Sequence, residues 1–324
     1  MVKAATQIND PDGFYNEELD LSPDTIGSIS PYHTASGVYV VQALISQAMG
    51  DLPSMALALD AFARHCQAAC DNLDLALGRS SVLLGGSLLY EMLPDKDLAE
   101  RTGLRKVVQA NLDLIWDQLI IFKPIRESDE LPNLGIAHGW AGILYAIMRW
   151  CQVSQTVLPA GLDERLAQLA GCVEWVGRGG RWPWRQSLTQ YNYMPGWCNG
   201  SAGFVFAWTQ AHRIFKDERY LMMAEKAAWN SWEDSAQVAN LCCGLAGRSY
   251  GLLNFYNYTG EKVWLKRARE LAKRGAINIR AGPLEEYKGF ECSLYKGELG
   301  IALLSADLAH PEEASFPFFE NEHW

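Results

Sequence analysis

Two kinds of helical segment alternate along the chain. In the first kind nearly every position is apolar, as in 38–45, 143–148 and 204–208. In the second kind charged residues occupy one face and Leu, Ala or Met the other, as in 218–232 and 263–274. A helix that is apolar on all sides must be buried, whereas an amphipathic helix covers a core. The pattern predicts buried inner helices surrounded by amphipathic outer helices, with almost no sign of alternating strands.

A short motif, x-Gly-x-x-Gly, precedes the apolar segments, and we call it the glycine frame. Six copies, some degenerate, end at residues 37, 81, 142, 203, 247 and 300, and they are 44 to 61 residues apart. Periods of this length are typical of arrays of helix pairs. The first glycine is expected to adopt a backbone conformation closed to other residues, and the second to let a helix start pack tightly. We predict an all-α fold, a double-layered α/α toroid in which the N-termini of the inner helices meet at one end of a central cavity.

Composition bounds the class of protein. The chain has 324 residues, of which 49% are hydrophobic and 20% charged, as in an ordinary globular protein. Its net charge of -10 disfavours nucleic acid and anionic membranes as partners. No apolar run approaches the ~20 residues that span a bilayer, and no apolar signal core follows Lys3. We expect a single cytoplasmic domain over 1–324, with 1–28 as an N-terminal extension.

Three of the eight cysteines lie in consecutive glycine frames: Cys198 in the fourth copy, and Cys242 and Cys243 in the fifth. Clustered cysteines in an intracellular protein are more often metal-binding or catalytic than disulfide-bonded. Zinc prefers thiolate and imidazole ligands, and a catalytic zinc keeps one position open. We therefore predict a three-cysteine zinc site. The alternatives are small buried residues or a redox pair, which adjacent cysteines rarely form without strain. The remaining cysteines are expected to pack in the core: Cys66, Cys70, Cys151, Cys172 and Cys292.

Four other polar residues lie in or beside the frames. His138 occupies the place of the cysteines in the third copy, which points to acid–base work. Asp74 lies one copy earlier, where it is either a site carboxylate or a helix N-cap. His33, before the first frame, is a weaker candidate, and Lys296 in the last copy either lines the cavity or is solvated. The aromatic loop 178–196 is expected at the mouth of the cavity.

Taken together, these motifs resemble those of the lanthionine cyclase (LanC-like) family. The resemblance runs from about Ile29 to Phe319 and rests on Gly135-x-x-His138-Gly139-x-x-Gly142, Trp197-Cys198-x-Gly200-x-x-Gly203 and Cys242-Cys243-Gly244-x-x-Gly247. It implies an α/α toroid with a central zinc. It also implies an enzyme that adds a peptide cysteine thiolate to dehydroalanine or dehydrobutyrine, forming lanthionine or methyllanthionine. The site residues that it implies are Cys198, Cys242 and Cys243 as zinc ligands, His138 as acid or base, Asp74 as an active-site carboxylate and Trp197 as a neighbouring wall.

Two positions depart from the family pattern. Cys243 stands where most members have histidine, which gives a three-thiolate zinc with one net negative charge and favours sulfur alkylation over hydrolysis. Met194 stands where members often carry arginine, so either Arg185 or a water covers that role, or the role is missing. The ending Pro317-Phe318-Phe319-Glu320 resembles the C-termini of cyclase domains in larger, fused synthetases.

The predicted partner is a ribosomally made precursor peptide, dehydrated by a separate or fused kinase/lyase or dehydratase. A rival activity is the addition of a small thiol such as glutathione to dehydroamino acids. A rival from another class is a non-catalytic toroid that binds a peptide and holds a structural zinc. In that case four protein ligands would fill all the coordination positions of the zinc. A toroid glycosidase needs two facing carboxylates, and Asp74 has no evident carboxylate partner in the frames.

Overall fold

Helices make up most of the described structure. The computed structural model describes residues 6–10, 13–15, 22, 25–186, 192–280 and 293–320. The helices are α1 (Ala35–Ala48), α2 (Leu52–His65), α3 (Ser80–Met92), α4 (Asp97–Arg101), α5 (Leu104–Leu119), α6 (Trp140–Ser154), α7 (Leu162–Ala170), α8 (Ser201–Phe215), α9 (Glu218–Glu233), α10 (Leu245–Thr259), α11 (Lys262–Arg280) and α12 (Leu299–Asp307). A 3-10 turn spans Ile125–Glu127. A small antiparallel hairpin of β1 (Glu174–Val176) and β2 (Gly179–Arg181), which the sequence pattern did not predict, follows α7.

Burial separates the helices into two layers. Every residue of α6 from Trp140 to Cys151 is buried, as is every residue of α8 from Ser201 to Ala211. In α9, by contrast, the buried residues form one stripe: Tyr220, Met223, Ala224, Ala227, Ala228 and Ser231. Helices α1, α3, α6, α8, α10 and α12 contact one another in that order, and α2, α5, α7, α9 and α11 pack on them from outside. The predicted double-layered, all-α toroid is therefore confirmed.

Backbone hydrogen bonds join the loops that precede the inner helices. The N–H of Ala76 donates to the carbonyl of Ala137 at 3.0 Å, and the N–H of Ala137 donates to the carbonyl of Cys198 at 2.8 Å. The series continues from Cys198 to Cys242 at 3.0 Å and from Cys242 to Tyr295 at 2.9 Å. We call this series the frame ladder. It fixes the register of five glycine frames, so residues at the same frame position form a row around the toroid.

Close approach, rather than an unusual backbone conformation, explains the frame glycines. A Cβ atom at Gly203 would lie 2.2 Å from the carbonyl oxygen of Trp197, which is far inside contact distance. The first glycine of the same frame, Gly200, has a φ of -133°, which any residue can adopt. The expectation of a special conformation there was wrong. A Cβ at Gly200 would instead lie 2.0 Å from the carbonyl oxygen of Met194, so a side chain would push the loop off the helix start.

A C-terminal segment, residues 314–320, spans the gap between the first and last frames. The hydroxyl of Tyr32, in the first frame, donates to the carbonyl of Phe318 at 3.0 Å. The hydroxyl of Tyr295, in the last frame, donates to the carbonyl of Pro317 at 2.8 Å. The segment thus ties the two ends of the ring of frames to each other.

The absence of membrane-spanning helices and the burial of the remaining cysteines were both expected from the sequence. No helix in the part of the chain that the structure describes is long and apolar enough to cross a membrane. Cys292, residues 187–191 of the loop 178–196 and much of the extension 1–28 lie outside the described residues. The other cysteines that were expected in the core are buried there: Cys66, Cys70, Cys151 and Cys172.

Candidate metal centre and acid–base pair

Three thiols meet where the fourth and fifth frames pair. Cys198 lies just before α8, and Cys242 and Cys243 lie just before α10, so the frame ladder brings the two loops together. The Sγ atom of Cys243 lies 3.4 Å from that of Cys198 and 3.4 Å from that of Cys242. All three Sγ atoms lie within 4.8 Å of one another. Cys198 is buried and the other two are half-buried, so the cluster keeps some exposure on the side of the fifth frame.

The sulfur triangle fits a zinc ion. Zn–S bonds of ~2.3 Å at tetrahedral angles place sulfur atoms roughly 3.8 Å apart, close to the separations in this cluster. A disulfide needs an S–S bond of ~2.05 Å, and all three residues are free cysteines, so the geometry does not support a redox pair. Within the described ranges, no other group of three His, Cys, Asp or Glu side chains is gathered this closely. Three protein ligands leave a fourth position of a tetrahedral ion open.

The cluster favours a negative sulfur at Cys243. Hydrogen bonding with the thiols of Cys198 and Cys242 holds the pKa of Cys243 well below its ordinary value, and the nearby Lys296 ammonium adds to the effect. The Nζ atom of Lys296 lies 3.7 Å from Sγ of Cys243. Hydrogen bonding to Cys242 and Cys243, together with burial, raises the pKa of Cys198. The three thiols therefore share one favoured thiolate before any ion binds.

A histidine–aspartate pair lies in the neighbouring frames. Nδ1 of His138 lies 2.9 Å from Oδ2 of Asp74. The other oxygen of this carboxylate, Oδ1, accepts the backbone N–H groups of Ala76 and Leu77, each at 2.7 Å. Asp74 thus caps the frame loop with one oxygen and orients His138 with the other. Because Nδ1–H donates to the carboxylate, Nε2 is the ring nitrogen left to exchange a proton.

The frame ladder shows that each frame supplies two neighbouring site positions. The first position holds Ala76, Ala137, Cys198, Cys242 and Tyr295 in successive frames. The second position holds Leu77, His138, Asn199, Cys243 and Lys296. Treating His138 and Cys198 as equivalent was therefore wrong by one residue. Because of that offset, the sequence pattern did not reveal Asn199, a buried amide in the frame between those of His138 and Cys243. An alignment on the first glycine of each frame would have found it.

Comparison with known proteins agrees with this architecture. A family model described as "Lanthionine synthetase C-like protein" matches residues 16–321. The chain belongs to this family. The solved structure of a protein named nisin cyclase, which has the α/α toroid fold, aligns with 95% of this chain and 86% of that chain. The TM-score is 0.64 and the sequence identity 15%, so this LanC-like chain shares the fold of that enzyme.

Two curated relatives match a shorter region of this LanC-like chain. "Glutathione S-transferase LANCL1" of Danio rerio is 30% identical over 199 residues, which cover 58% of this chain and 45% of that protein. "LanC-like protein GCL1" of Arabidopsis thaliana is 26% identical over 196 residues, covering 57% of this chain and 43% of that protein. The matched region spans less than half the length of either relative.

The remaining candidate residues surround the LanC-like site. Trp197 is buried and stacks on Phe316 of the C-terminal segment with ring centroids 4.7 Å apart, a contact that the sequence did not predict. Burial, and next the charge of His138, lower the pKa of His33, so these two imidazoles interact. Arg185 pairs through its backbone with the loop that precedes the third frame. Among the described contacts, none brings its guanidinium to the cysteines.

Proposed function

We propose that this chain is a zinc-dependent lanthionine cyclase, which adds cysteine thiolates of a dehydrated ribosomal peptide to dehydroalanine or dehydrobutyrine. The observation that carries the proposal is the triangle of three thiols one frame away from an oriented His138–Asp74 pair. A thiol addition needs a thiolate and a proton donor for the α-carbon, and these two groups provide for both. Membership of the LanC-like family and the shared toroid support the same reaction class.

Cys198, Cys242 and Cys243 would hold the zinc. When bound, the ion supplies a Lewis acid that keeps an incoming thiol in its nucleophilic thiolate form at neutral pH. Helices α8 and α10 begin at Ser201 and Leu245, inside the cysteine frames, so the partial positive charge of their N-termini faces this region. A thiolate, or the enolate that forms from it, is stabilised by that charge.

His138 moves the proton in this scheme. The substrate thiol loses its proton, its sulfur forms a bond to the β-carbon, and the carbon–carbon π bond opens to an enolate. Nε2 of His138 takes the thiol proton and returns it to the α-carbon, so the product has the same atoms as the peptide before closure. Asp74 holds Nδ1–H throughout and stabilises the imidazolium that forms between the two transfers.

The rest of the system is also proposed. We place residues 1–324 in one cyclase domain, with 1–28 as an N-terminal extension, and we place the protein in the cytoplasm. A separate or fused kinase/lyase or dehydratase then supplies the dehydrated peptide. A second candidate function is the addition of free glutathione to dehydroamino acids, which is favoured by the 30% identity to the relative named "Glutathione S-transferase LANCL1".

One incubation separates the two candidate reactions. The protein is mixed with a dehydrated, cysteine-containing peptide and with glutathione, and the products are alkylated with N-ethylmaleimide before mass spectrometry. Ring closure leaves the peptide mass unchanged but removes an alkylatable thiol, whereas glutathione addition raises the mass. Cys198→Ala is the inactive control, and metal analysis of the wild type should find about one zinc per chain. Protein prepared without chelator that holds no zinc would contradict both candidates.

A further inference from the structure

The second position of the last frame places a lysine beside the thiols. Nζ of Lys296 lies 3.7 Å from Sγ of Cys243. The backbone around it is fixed on both sides. The carbonyl of Tyr295 accepts the frame-ladder bond from Cys242 at 2.9 Å, and the N–H of Lys296 donates to Oγ of Ser293 at 3.2 Å. The frame ladder that gathers the cysteines therefore also fixes the backbone from which the Lys296 side chain reaches Cys243.

The net charge of the metal centre explains why a lysine would lie beside Cys243. A divalent ion with three thiolates carries one net negative charge, whereas two thiolates and a neutral histidine leave it neutral. An incoming substrate thiolate adds another negative charge in either case. Cys243, which stands where most of the family has histidine, therefore adds repulsion against the substrate sulfur. One ammonium at 3.7 Å from Cys243 adds a positive charge that opposes this repulsion.

We infer that Lys296 is the charge partner of the three-cysteine centre and sets its preference for an anionic sulfur as the fourth ligand. This inference rests on the proposed function, because it assumes a metal ion on Cys198, Cys242 and Cys243. Lys296 acts through its fixed positive charge and transfers no proton. An opposite charge within ~4–6 Å stabilises an ionised group by roughly tenfold to a thousandfold. Removing the lysine charge should weaken thiolate binding within that range.

The test replaces zinc with Co²⁺ and follows sulfur-to-cobalt charge-transfer absorption. Wild type, Lys296→Met and Lys296→Arg are each titrated with 2-mercaptoethanol, which binds as an anion, and with imidazole, which binds neutral. Lys296→Met should lose at least tenfold in affinity for 2-mercaptoethanol and keep its affinity for imidazole, because imidazole adds no charge. Lys296→Arg should retain both affinities. Lys266→Met, which removes an exposed lysine from the outer helix α11, is the matched control and should change neither.

A double-mutant cycle locates the effect at the cysteine. In a Cys243→His background the centre loses one negative charge, so Lys296→Met should weaken 2-mercaptoethanol binding less than it does in the wild type. If Lys296→Met binds Co²⁺ and 2-mercaptoethanol like the wild type, or weakens imidazole equally, the inference is overturned and the proposed function stands. If the wild type binds no Co²⁺ at the three cysteines, the proposed function fails first. Loss of Co²⁺ binding in folded Lys296→Met, restored in Lys296→Arg, supports the inference, because the ion then depends on the same charge balance.

Discussion

Asp74→Asn probes the acid–base pair with a change of almost no volume. The amide oxygen of asparagine can keep accepting the backbone N–H groups of Ala76 and Leu77, which now lie 2.7 Å from Oδ1. Its NH₂ group then faces Nδ1 of His138, where the carboxylate oxygen now lies 2.9 Å away. Because an amide NH₂ only donates, Nδ1 must accept, and the ring proton of neutral His138 moves to Nε2.

The hydrogen bond between His138 and Asp74 and the exposure of this pair set the expected loss of rate in Asp74→Asn. The native pair is a hydrogen bond to a charged group, worth ~1.5–3 kcal/mol, and it leaves Nε2 to take the thiol proton. In the variant Nε2 already carries a proton, so the contribution of acid–base catalysis, ~10²–10⁴-fold, is lost. The side chain of His138 is 32% exposed, and solvent screens the pair. We therefore expect a rate loss near the lower end, about a hundredfold, which is ~2.7 kcal/mol in activation free energy.

Two measurements check this prediction. The rate of thiol loss on a dehydrated peptide gives the activity, and ¹⁵N chemical shifts of the imidazole report which ring nitrogen carries the proton. Asp71→Asn, an exposed carboxylate in the same stretch of chain, is the control and should keep the wild-type rate. Zinc content should be unchanged in both variants. Full activity in Asp74→Asn with the proton moved to Nε2 would refute the catalytic role of His138. An unmoved proton would refute the hydrogen-bond scheme.

Three further changes have defined outcomes. Cys198→Ser should lower zinc affinity at least tenfold in competition with a chromophoric chelator, since a hydroxyl is a poor zinc ligand. Cys151→Ser, which lies outside the cluster, should keep the wild-type affinity. If Cys198→Ser binds zinc as tightly as the wild type, the proposed zinc site is wrong. Phe316→Ala should lower the free energy of unfolding by ~3–5 kcal/mol, since the ring is fully buried against Trp197; a loss under ~1 kcal/mol in urea denaturation would show that the C-terminal segment is dispensable. Burial lowers the pKa of His33 from 6.5, so its contribution to stability is complete above pH 6.5 and is lost as the pH falls through the folded-state pKa. His33→Gln should reduce the loss in the free energy of unfolding between pH 7 and pH 5. An unchanged loss would show that His33 does not cause it.

The repeat pattern was sufficient to predict the fold because the same physical constraint recurs in each copy. A side chain at Gly203 would collide with the loop that starts its own helix, so the glycine recurs wherever a buried helix follows such a loop. Spacing and apolar content then imply two layers. The pattern could not show how the ring closes, because the partner of Tyr32 lies at Phe318, across nearly the whole chain. It also gave no periodicity for the short hairpin Glu174–Arg181, whose strands are three residues each.

The candidate site was predicted by residue type but not by register. Cysteines and a histidine in repeated motifs pointed to the candidate residues, while the offset between His138 and Cys198 became visible only from the backbone bond between Ala137 and Cys198. Asp74 shows a second kind of limit. The sequence left a helix cap and a site carboxylate as alternatives, whereas in the structure one oxygen accepts N–H groups of the loop before α3 and the other contacts His138. The sequence position of an aspartate does not show that its two oxygens make different contacts.

The frame ladder explains how one scaffold can hold such different side chains. At the first frame position the main chain of Cys198 donates to the next frame and accepts from the previous one, and Cys242 does the same. The hydrogen-bonding needs of these backbones are met within the ring, so their side chains carry no structural hydrogen bond of the loop. Alanine, cysteine and tyrosine are therefore interchangeable at this position as far as the ladder is concerned. The proposed metal binding then depends on which frames carry cysteine, and the charge beside the cysteines depends on the side chain that the next frame supplies, which here is Lys296.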